Sequence, residues 1–483
     1  MENDDVRRNL DRLVAMLTLL LVFLIAARYT IGPDTWWHLR AGAWIWQHKA
    51  LPMVDPFSFT KAGAPWHYPG GVIEVWMYGL YRLGGLGMLN LWTAGMVTLT
   101  FAVVWATAKA HPLLKAAFVL LGALTASPHW MARPFLMTVL LTALFIYLLE
   151  RWRAGHRWAL WALPMLMVLW VNSHGGYILG VVWWGVYFVA AWGRCVLAAE
   201  RPSCRPAVQL TAVGALLVVA MLLNPYGAEM LRYPFYTLHM KATKALIAEW
   251  QSPDFHRPIF LPLLVMLLLL VLGAGWSARR WRLEAGLLAA GMVHMVLNWQ
   301  RNVDVFAVVT APILAQTWET VFQHAAWRLP VWKVKEQTRP HPRLNLALVA
   351  LMALAAFGKA GVFALPSANA TLTARNYPVG AVEYLRQHHP PGHLFNDYNW
   401  GGYLTWALPA YPVFVDGRAD LYGDDFLEQV VRVMRAQPGW QGVLDYWDVR
   451  LVLIRGDAPL AEALPAEGWR LLYADDQSVL YGR

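Results

Sequence analysis

Long apolar segments separated by short polar ones run along most of the chain, and this pattern predicts a bundle of membrane-spanning helices. The first segment, at about 13–28, follows Arg7, Arg8 and Arg12 and ends without a small-residue cleavage site, so we expect a retained signal anchor. The pattern therefore predicts a polytopic α-helical membrane protein of about eleven transmembrane helices. The other predicted spans lie at about 86–108, 113–127, 134–150, 158–172, 177–194, 207–223, 258–275, 283–298, 302–320 and 344–363.

Lysine and arginine residues concentrate in every second loop, which is the distribution typical of cytoplasmic loops. The intervening loops are longer and carry most of the loop carboxylates. We therefore expect the N-terminus in the cytoplasm and the C-terminus outside, in the inner (cytoplasmic) membrane of a bacterium. The basic loops contain Lys109 and Lys115; Arg151, Arg153 and Arg157; Arg194, Arg201 and Arg205; Arg279, Arg280 and Arg282; and Arg328, Lys333, Lys335, Arg339 and Arg343 of a linker at 323–343.

Three longer segments fall on the predicted outer side: a loop at about 31–85, a loop at 224–258 and the tail. We therefore divide the chain into a transmembrane domain, 1–364, and an extracytoplasmic domain, 365–483. Helical and strand patterns alternate in the tail, which predicts a small α/β fold. Its predicted helices cover 379–388 and 425–436, and its predicted strands cover 413–416, 449–454, 471–473 and 478–480.

The composition agrees with a membrane protein, because 58% of the residues are hydrophobic and only 14% are charged, with a mean hydropathy of +0.38. Soluble domains have about 25% charged residues. The net charge of +10 does not indicate nucleic-acid binding, since the basic residues lie in short loops between spans. Cys195 and Cys204 share one predicted cytoplasmic loop, where we expect reduced thiols.

The first outer loop holds an unusual group of ionisable residues at the end of the first span. Asp34 lies close to His38 and Arg40, and Asp55 follows in a turn next to proline. Ionisable residues at such depth typically mark functional sites. Two plainer interpretations stay open: Asp34 as the helix-end partner of Arg40, and Asp55 as an Asx turn or helix cap. We expect residues 72–83 to lie along the membrane interface.

Polar groups also occur at the outer ends of several later spans, and a bundle would gather them into one outward cavity. Its cations suit a phosphate or diphosphate. Carboxylates such as Asp34, Asp55 and Glu249 suit a divalent cation (Mg²⁺ or Mn²⁺) or a general base. Aromatic faces suit sugar rings, so a lipid-phosphate-linked sugar fits the set. The polar groups include His129, Arg133, Asn172, His174, Glu229, Glu249 and Arg301.

Several segments form recognisable motifs: Asp-Thr-Trp-Trp-His-Leu-Arg at 34–40, Asp-Pro-Phe at 55–57 with Tyr-Pro-Gly-Gly at 68–71, Leu-Ile-Ala-Glu at 246–249, and Asn-Trp-Gly-Gly-Tyr-Leu at 399–404. They resemble motifs of the catalytic subunits of archaeal and bacterial oligosaccharyltransferases. That family has an Asp before aromatic-His-x-Arg, a later Asp before Tyr-Pro-x-Gly, an outer-loop motif ending Ile-x-Glu, and a Trp-Trp-Asp-Tyr-Gly signature. The resemblance implies a class C glycosyltransferase (GT-C) fold, with a multi-span bundle, an outer catalytic cavity and an extracytoplasmic tail. The matching segments are 34–40, 55–57 with 68–71, 246–249 and 399–404, followed by Asp416, and Arg301 falls where the family holds a diphosphate-binding arginine.

Together with the predicted polar cavity, the resemblance leads to the hypothesis that Asp34 is a general base towards the acceptor hydroxyl or a metal ligand. In the same hypothesis, Arg301 stabilises the leaving phosphate with help from Arg133. Asp34 and Glu249 are the candidate ligands of the divalent cation. The predicted catalytic residues are Asp34, His38, Asp55 and Glu249, and the predicted substrate-binding residues are Arg40, Arg133, His174, Arg301, Trp400, Tyr403 and Asp416.

Two departures from the family pattern restrict what the resemblance implies. Gly401 stands where the signature has the Asp that recognises the Ser or Thr of an asparagine sequon. The loop at 127–134 lacks the paired carboxylates of the family's metal site, and no acidic residue occurs at 110–149. The sequence therefore predicts neither asparagine glycosylation nor a complete metal site.

Three hypotheses of different classes follow. The leading one is a glycosyltransferase that moves a sugar or glycan from a polyprenyl-phosphate-linked donor to an unknown acceptor outside the inner membrane. The second is a non-catalytic membrane scaffold of the same fold, active in envelope or polysaccharide assembly. The third, a transporter or flippase of the same lipid, is disfavoured because charges are scarce in mid-span and paired broken helices are absent from the pattern.

Overall fold

The computed structural model of the chain describes residues 2–197, 203–240, 247–277, 281–324 and 342–483. The part of the chain before the tail is mostly helical. Its helices in the described ranges are α1 (Glu2–Ala26), α2 (Pro33–His48), α3 (Gly71–Thr107), α4 (Pro112–Ala126), α5 (Phe135–Arg153), α6 (Trp158–Trp161), α7 (Leu163–Val171), α8 (Ile178–Leu197), α9 (Arg205–Leu222), α10 (Glu229–His239), α11 (Leu261–Ser277), α12 (Leu283–Asn298), α13 (Val303–His324) and α14 (Pro342–Ala364).

Among the described residues, seven helical segments are long and apolar enough to cross a membrane. Shorter apolar helices cover Trp158–Val171 and Leu283–Asn298. The chain is thus a multi-pass membrane protein, while the count of eleven spans stays a prediction. In α5, 83% of the residues in the apolar stretch are buried, whereas in α14 only 11% are buried. The bundle therefore packs around α5, and α14 lies at its edge.

The first outer segment is not only a loop, because it contains the 16-residue helix α2. Pro33 occupies its first turn, where the missing N–H costs no hydrogen bond. The backbone N–H of Gly32 donates to Oγ1 of Thr35 at 3.0 Å. The helix ends where Lys49 adopts a left-handed conformation with φ of 53°. This local structure places Asp34 at the N-terminus of a helix.

Helix α3 combines the predicted interfacial segment and the span that follows it. Its backbone is non-helical at Gly84 and Gly85, and Gly85 has φ of 59°, a region that side chains disfavour. The helix therefore bends between a limb at 71–83 and a limb at 86–107. The segments predicted separately at 72–83 and 86–108 are therefore two helices separated by a break at these glycines.

The tail contains a four-stranded sheet in the order β1-β2-β4-β3, with β1 parallel to β2 and the other neighbours antiparallel. Helices cover its faces. The strands are β1 (His393–Asn396), β2 (Val449–Arg455), β3 (Arg470–Ala474) and β4 (Ser478–Gly482), and the helices are α15 (Pro366–Asn376), α16 (Val379–His388), α17 (Tyr398–Ala407), α18 (Ala419–Tyr422), α19 (Asp424–Met434), α20 (Trp440–Tyr446) and α21 (Pro459–Ala463).

The predicted helices and three of the four predicted strands of the tail are confirmed within two residues. The strand prediction for 413–416 is wrong: Val413 forms single bridges to Ser58 and Leu394, and no ladder follows. The neighbouring β1 was not predicted, because a strand of four residues shows too little alternation to be recognised.

The tail and the bundle share a hydrophobic core. Tyr377, Leu404 and Leu451 of the tail belong to the same buried cluster as residues of the membrane helices. A second cluster on the other side of the sheet, which includes Phe414 and Trp440, belongs to the tail. The tail is therefore held against the bundle by packing.

Of two predictions about the loops, the structure tests one. The prediction of free thiols is wrong, because Cys195 and Cys204 form a disulfide. The Cα atoms of Cys195, in α8, and Cys204, just before α9, lie 5.1 Å apart, which is within the usual range for a disulfide. The basic linker predicted at 323–343 lies almost entirely outside the described residues.

Candidate functional site

Asp34 lies in the first turn of α2, where the helix dipole favours a negative charge. Its Oδ1 accepts a hydrogen bond from Nε1 of Trp37 at 3.2 Å, and its Oδ2 accepts one from Nη1 of Arg133 at 3.0 Å. The Asp34 side chain is 31% exposed. Burial raises the pKa of Asp34, and the charge of Arg133 only partly opposes this. The carboxylate is thus held in place and remains reachable.

Arg133 joins Asp34 to Glu249, which lies on a different outer segment. Nη2 of Arg133 donates to Oε1 and Oε2 of Glu249 at 2.9 and 3.2 Å. Burial lowers the pKa of Arg133, but the two carboxylates outweigh it, so the pKa is raised. Burial raises the pKa of Glu249, and Arg133 and Arg301 overcome that effect, so its pKa is lowered. These three residues form the ion triad Asp34–Arg133–Glu249.

Arg301 lies beside the ion triad in the turn Gln300–Asn302. Its Cζ is 4.1 Å from the ring centroid of Trp250, the residue after Glu249. The backbone N–H of Gln300 donates to the carbonyl of Gln251 at 2.8 Å, which ties the two segments together. Within the described part of the chain Arg301 forms no ion pair. Its positive charge is therefore not paired with a carboxylate among the described residues.

His174 is a neutral member of the same region. Its Nδ1 accepts a hydrogen bond from the backbone N–H of Gly176 at 3.0 Å and lies 2.9 Å from Oγ1 of Thr138. Burial, followed by the charges of Arg301 and Arg133, lowers the pKa of His174 to about 3. Because Nδ1 is an acceptor, the ring proton is on Nε2.

His38 lies next to the ion triad but its ring is enclosed. Nδ1 of His38 is 3.0 Å from Oε1 of Glu74, and both side chains are buried. The ring of Trp37 packs against it with centroids 3.5 Å apart. Burial lowers the pKa of His38 well below its usual value. These contacts fix His38 between Glu74 and Trp37, and Trp37 in turn donates to Asp34. His38 therefore helps to position α2.

Asp55 and Asp416 are brought together by Arg418, a residue that was not predicted from the sequence. Nη1 of Arg418 donates to Asp55 at 2.6 Å, and its Nε and Nη2 donate to Asp416 at 2.9 and 2.7 Å. All three are buried, with Arg418 between the rings of Phe57 and Trp66.

Asp55 also accepts from the backbone N–H of Phe57 at 3.0 Å, which is the Asx turn of the plainer interpretation. The predicted catalytic role of Asp55 and substrate-binding role of Asp416 have no support in this geometry. The signal available in the sequence was the order Asp416-Gly417-Arg418, a carboxylate two residues before an arginine.

The remaining predicted residues lie in packed surroundings. Trp400 and Tyr403 are buried, with 5% and 7% exposure, and Tyr403 packs edge-on against Trp36 at 5.1 Å. Cζ of Arg40 lies 5.8 Å from the ring of Phe57, and Arg40 is not the partner of Asp34. These side chains therefore stabilise the contact between α2, the outer loop and the tail.

Asp304 is a buried carboxylate that was not predicted as a site residue. It lies in the first turn of α13, and its Oδ1 is 4.0 Å from Nδ1 of His129. Neither oxygen of Asp304 has a hydrogen-bond partner among the described residues. The sequence did contain a signal for this residue, because Asp304 is a carboxylate in the first turn of an apolar helix, three residues after Arg301.

The arrangement does not fit a divalent cation at the predicted ligands. Asp34 and Glu249 both hold Arg133, whose guanidinium lies between them. In the described ranges, no group of three or more His, Cys, Asp or Glu side chains is placed to bind a metal ion. The two predicted metal ligands, Asp34 and Glu249, therefore hold an arginine between them.

A separate cavity of about 200 Å³ lies at the opposite end of the bundle from the ion triad. Glu150, Tyr187, Arg282 and Gln316 are among its lining residues. Glu150 accepts from Tyr187 at 2.7 Å and from Arg282 at 3.0 Å. This cavity shares no residue with the site described above.

No protein-family model matches the sequence, and no curated protein matches it. Solved structures do match, with low identity over almost the whole chain. The archaeal oligosaccharyltransferase AglB from Archaeoglobus fulgidus, in complex with an inhibitory peptide and a dolichol-phosphate, has a TM-score of 0.60 and 13% identity over 97% of this chain and 74% of that chain.

Two further structures match in the same way. ArnT from Cupriavidus metallidurans bound to undecaprenyl phosphate has a TM-score of 0.51 and 15% identity over 98% of this chain and 97% of that chain. The arabinofuranosyltransferase AftD from Mycobacteria has a TM-score of 0.51 and 16% identity over 98% of this chain and 40% of that chain. The chain therefore has the fold of GT-C glycosyltransferases, as its motif resemblance implied.

Proposed function

We propose that the protein is a glycosyltransferase that takes a sugar or glycan from a polyprenyl-phosphate-linked donor. The proposal places the reaction on the outer face of a bacterial inner membrane, with the N-terminus in the cytoplasm. The GT-C fold supports glycosyl transfer, and lipid phosphates bound to two similar structures support the donor class. The acceptor is a hydroxyl compound whose identity we leave open.

One observation carries the proposal: the ion triad with Arg301 at its side. Asp34, Arg133 and Glu249 come from three separate outer segments, and the fold brings them within hydrogen-bonding distance. Arg301 adds a cation that has no ion pair in the described part of the chain. A reachable carboxylate next to a free guanidinium suits a reaction in which a proton leaves the acceptor and a phosphate leaves the donor.

In the proposed step, the acceptor oxygen attacks the anomeric carbon of the donor sugar. A new carbon–oxygen bond forms as the bond to the phosphate oxygen breaks, and the phosphate keeps that electron pair. The acceptor proton passes to Asp34. Arg301 stabilises the charge that develops on the phosphate, where a fixed cation contributes most in the transition state. The products are a glycosylated acceptor and a polyprenyl phosphate or diphosphate.

Asp34 suits the role of base because burial raises its pKa. A carboxylate with a raised pKa is a stronger base and still accepts a proton near neutral pH. Its Oδ2 is held by Arg133, so Oδ1, which accepts only the longer bond from Trp37, is the proposed proton acceptor. Nε2–H of His174 is a further neutral donor for the phosphate.

The test is transfer of a radiolabelled sugar from polyprenyl-phosphate donors by the purified full chain in lipid nanodiscs. Asp34→Asn should reduce transfer by at least about 1,000-fold, since removal of a general base costs ~10²–10⁴ and the buried charge balance also changes. Asp457→Asn is the control, because that exposed residue pairs only with the exposed Arg455 among the described residues. Full transfer by Asp34→Asn would contradict the proposal.

A non-catalytic scaffold of the same fold is the second candidate. One observation favours it: the two carboxylates of the ion triad already have a cationic partner, as a purely structural pair would. The same assay separates the candidates, because a scaffold releases no polyprenyl phosphate from any donor, whereas the enzyme releases it together with sugar transfer.

A further inference from the structure

We propose that the guanidinium of Arg133 takes the place of a divalent cation in this site, so that sugar transfer needs no metal ion. The inference rests on the proposed function for the transfer itself. The place of Arg133 between two carboxylates is, however, a property that can be tested by metal binding alone.

The first argument is geometric. Nη1 of Arg133 contacts Asp34 at 3.0 Å, and Nη2 contacts both oxygens of Glu249 at 2.9 and 3.2 Å. A hard divalent cation shared by these carboxylates would lie about 2.0–2.6 Å from their oxygens. The guanidinium already fills the space between them. A cation can enter only if Arg133 moves away from both partners.

The second argument is the charge of the site. Asp34 and Glu249 carry two negative charges, and Arg133 and Arg301 carry two positive ones, so the four residues balance. A divalent cation would add two positive charges to a balanced and largely buried group. Asp34 and Glu249 are already paired with Arg133, and the buried Asp304 has no hydrogen bond to the triad among the described residues. The added charges would therefore be repelled by the two arginines in surroundings of low dielectric constant. The loop at 127–134, which carries Arg133, contains no acidic residue.

The third argument is that Arg133 is fixed. The backbone N–H of Ala132 donates to the carbonyl of Thr30 at 2.8 Å, which anchors the loop to the segment between α1 and α2. The Arg133 side chain is 11% exposed, and its Cζ lies 5.4 Å from the ring of Phe135. Moving it would leave the carboxylates without a partner. The planar fork of arginine can hold two carboxylates at once, which the single ammonium of lysine does less well.

The functional consequence is a permanent positive charge at the site. The pKa of Arg133 is raised by its two carboxylates, so the group stays protonated at any working pH. It holds Asp34 at one oxygen and leaves the other for the acceptor proton. Arg133 is thus a positioning residue for Asp34.

The deciding experiment is Mn²⁺ binding to the purified full chain, measured by electron paramagnetic resonance. The wild-type protein should bind no Mn²⁺ at the ion triad, so Asp34→Asn should not change its titration. Arg133→Asp places a third carboxylate between Asp34 and Glu249 and should bind Mn²⁺ at least tenfold more tightly than wild type. Arg375→Asp, at an exposed position of α15 where no carboxylate pairs with it among the described residues, is the matched control and should behave as wild type.

The result that would overturn the inference is one tightly bound Mn²⁺ per wild-type chain that disappears in Asp34→Asn. This arm holds even if Arg133→Asp does not fold. In the transfer assay, wild type should keep its rate in EDTA, and a loss that Mn²⁺ or Mg²⁺ restores would also overturn it. Absence of transfer under every condition would instead contradict the proposed glycosyltransferase, while the Mn²⁺ titration still decides the role of Arg133.

Discussion

At the scale of single residues, burial has opposite effects on the two carboxylates that hold Arg133. The pKa of Asp34 is raised because burial outweighs its one contact with Arg133. The pKa of Glu249 is lowered because two guanidinium groups outweigh burial. The two acidic groups therefore differ in role: Asp34 can take up a proton, and Glu249 remains a fixed anion that orients Arg133.

The pH dependence of transfer follows from this difference. Protonation of Asp34 removes the base, so the rate should fall as the pH decreases through the pKa of Asp34. Because that pKa is raised, the acidic limb should lie above the value of about 3.9 of a free aspartate. The measurement is kcat/KM for transfer against pH. An acidic limb at or below that value would argue against Asp34 as the base.

Arg301 should act on the donor phosphate. Arg301→Ala should lower kcat/KM by about 100-fold or more, since loss of one preorganised donor to a developing anion costs ~10²–10³. Arg301→Lys should recover part of the rate because a positive charge is kept. Arg257→Ala, in the neighbouring exposed turn, is the control. Equal rates for Arg301→Ala and wild type would remove Arg301 from the mechanism.

The sequence allowed this region to be predicted where residue type and position in the span were enough. Asp34, Arg133, His174, Glu249 and Arg301 were selected from helix ends, and the structure brings them close together. The pairings could not be predicted, since they depend on how separate segments meet. Arg418 shows this well: its contact with Asp55 joins residues 363 positions apart in the sequence.

At the scale of elements, the contact between α17 and α2 sets the position of Asp34. A Cβ on Gly402 would collide with the carbonyl oxygen of Pro33, and one on Gly401 would collide with that of Val415. No side chain fits at either position. The Gly401 that replaces a signature Asp is therefore explained by packing, and an Asp there would not fit.

Gly402→Ala should destabilise this contact. An added methyl group against a rigid backbone costs ~1–3 kcal/mol, so the Tm of the purified protein should fall by several degrees. Transfer should also decrease, since Pro33 precedes Asp34. Gly442→Ala in α20 is the matched control, because a Cβ there meets nothing within 4 Å. An unchanged Tm for Gly402→Ala would show that α17 and α2 are not in close contact.

The elements of the tail were predicted well where they are long or strongly patterned. Helices at 379–388 and 424–434 bury one face, and that periodicity is visible in the sequence. The segment at 413–416 is apolar because it is buried between the outer loop and β1, where Val413 bridges both. Burial without a strand partner cannot be distinguished from a buried strand by composition alone.

At the scale of the whole molecule, Arg418 connects the tail to the first outer loop. Its guanidinium binds Asp55 on one side and Asp416 on the other, with 1% exposure. The contact is extended by Thr60 Oγ1, which donates to the carbonyl of Phe414 at 2.6 Å. The tail and the loop behind Asp34 thus form one structural unit.

Arg418→Met should weaken this connection. It leaves two buried carboxylates without a cation, which costs ~3–5 kcal/mol when a buried pair is broken. The tail should become sensitive to limited proteolysis, and transfer should fall with it. Arg455→Met removes an exposed ion pair of the same tail and should have little effect. Equal protease resistance of both variants would show that the Arg418 contacts do not hold the tail.

The central claim is sugar transfer that depends on Asp34, and the most direct measurement is the mass of extracytoplasmic glycans and glycolipids in cells lacking the protein. The account predicts that one class of glycoconjugate loses a defined sugar mass. Wild type and Asp457→Asn should restore it, and Asp34→Asn, present in the membrane at the same level, should not. Unchanged glycans in the deletion strain, or full restoration by Asp34→Asn, would contradict the account.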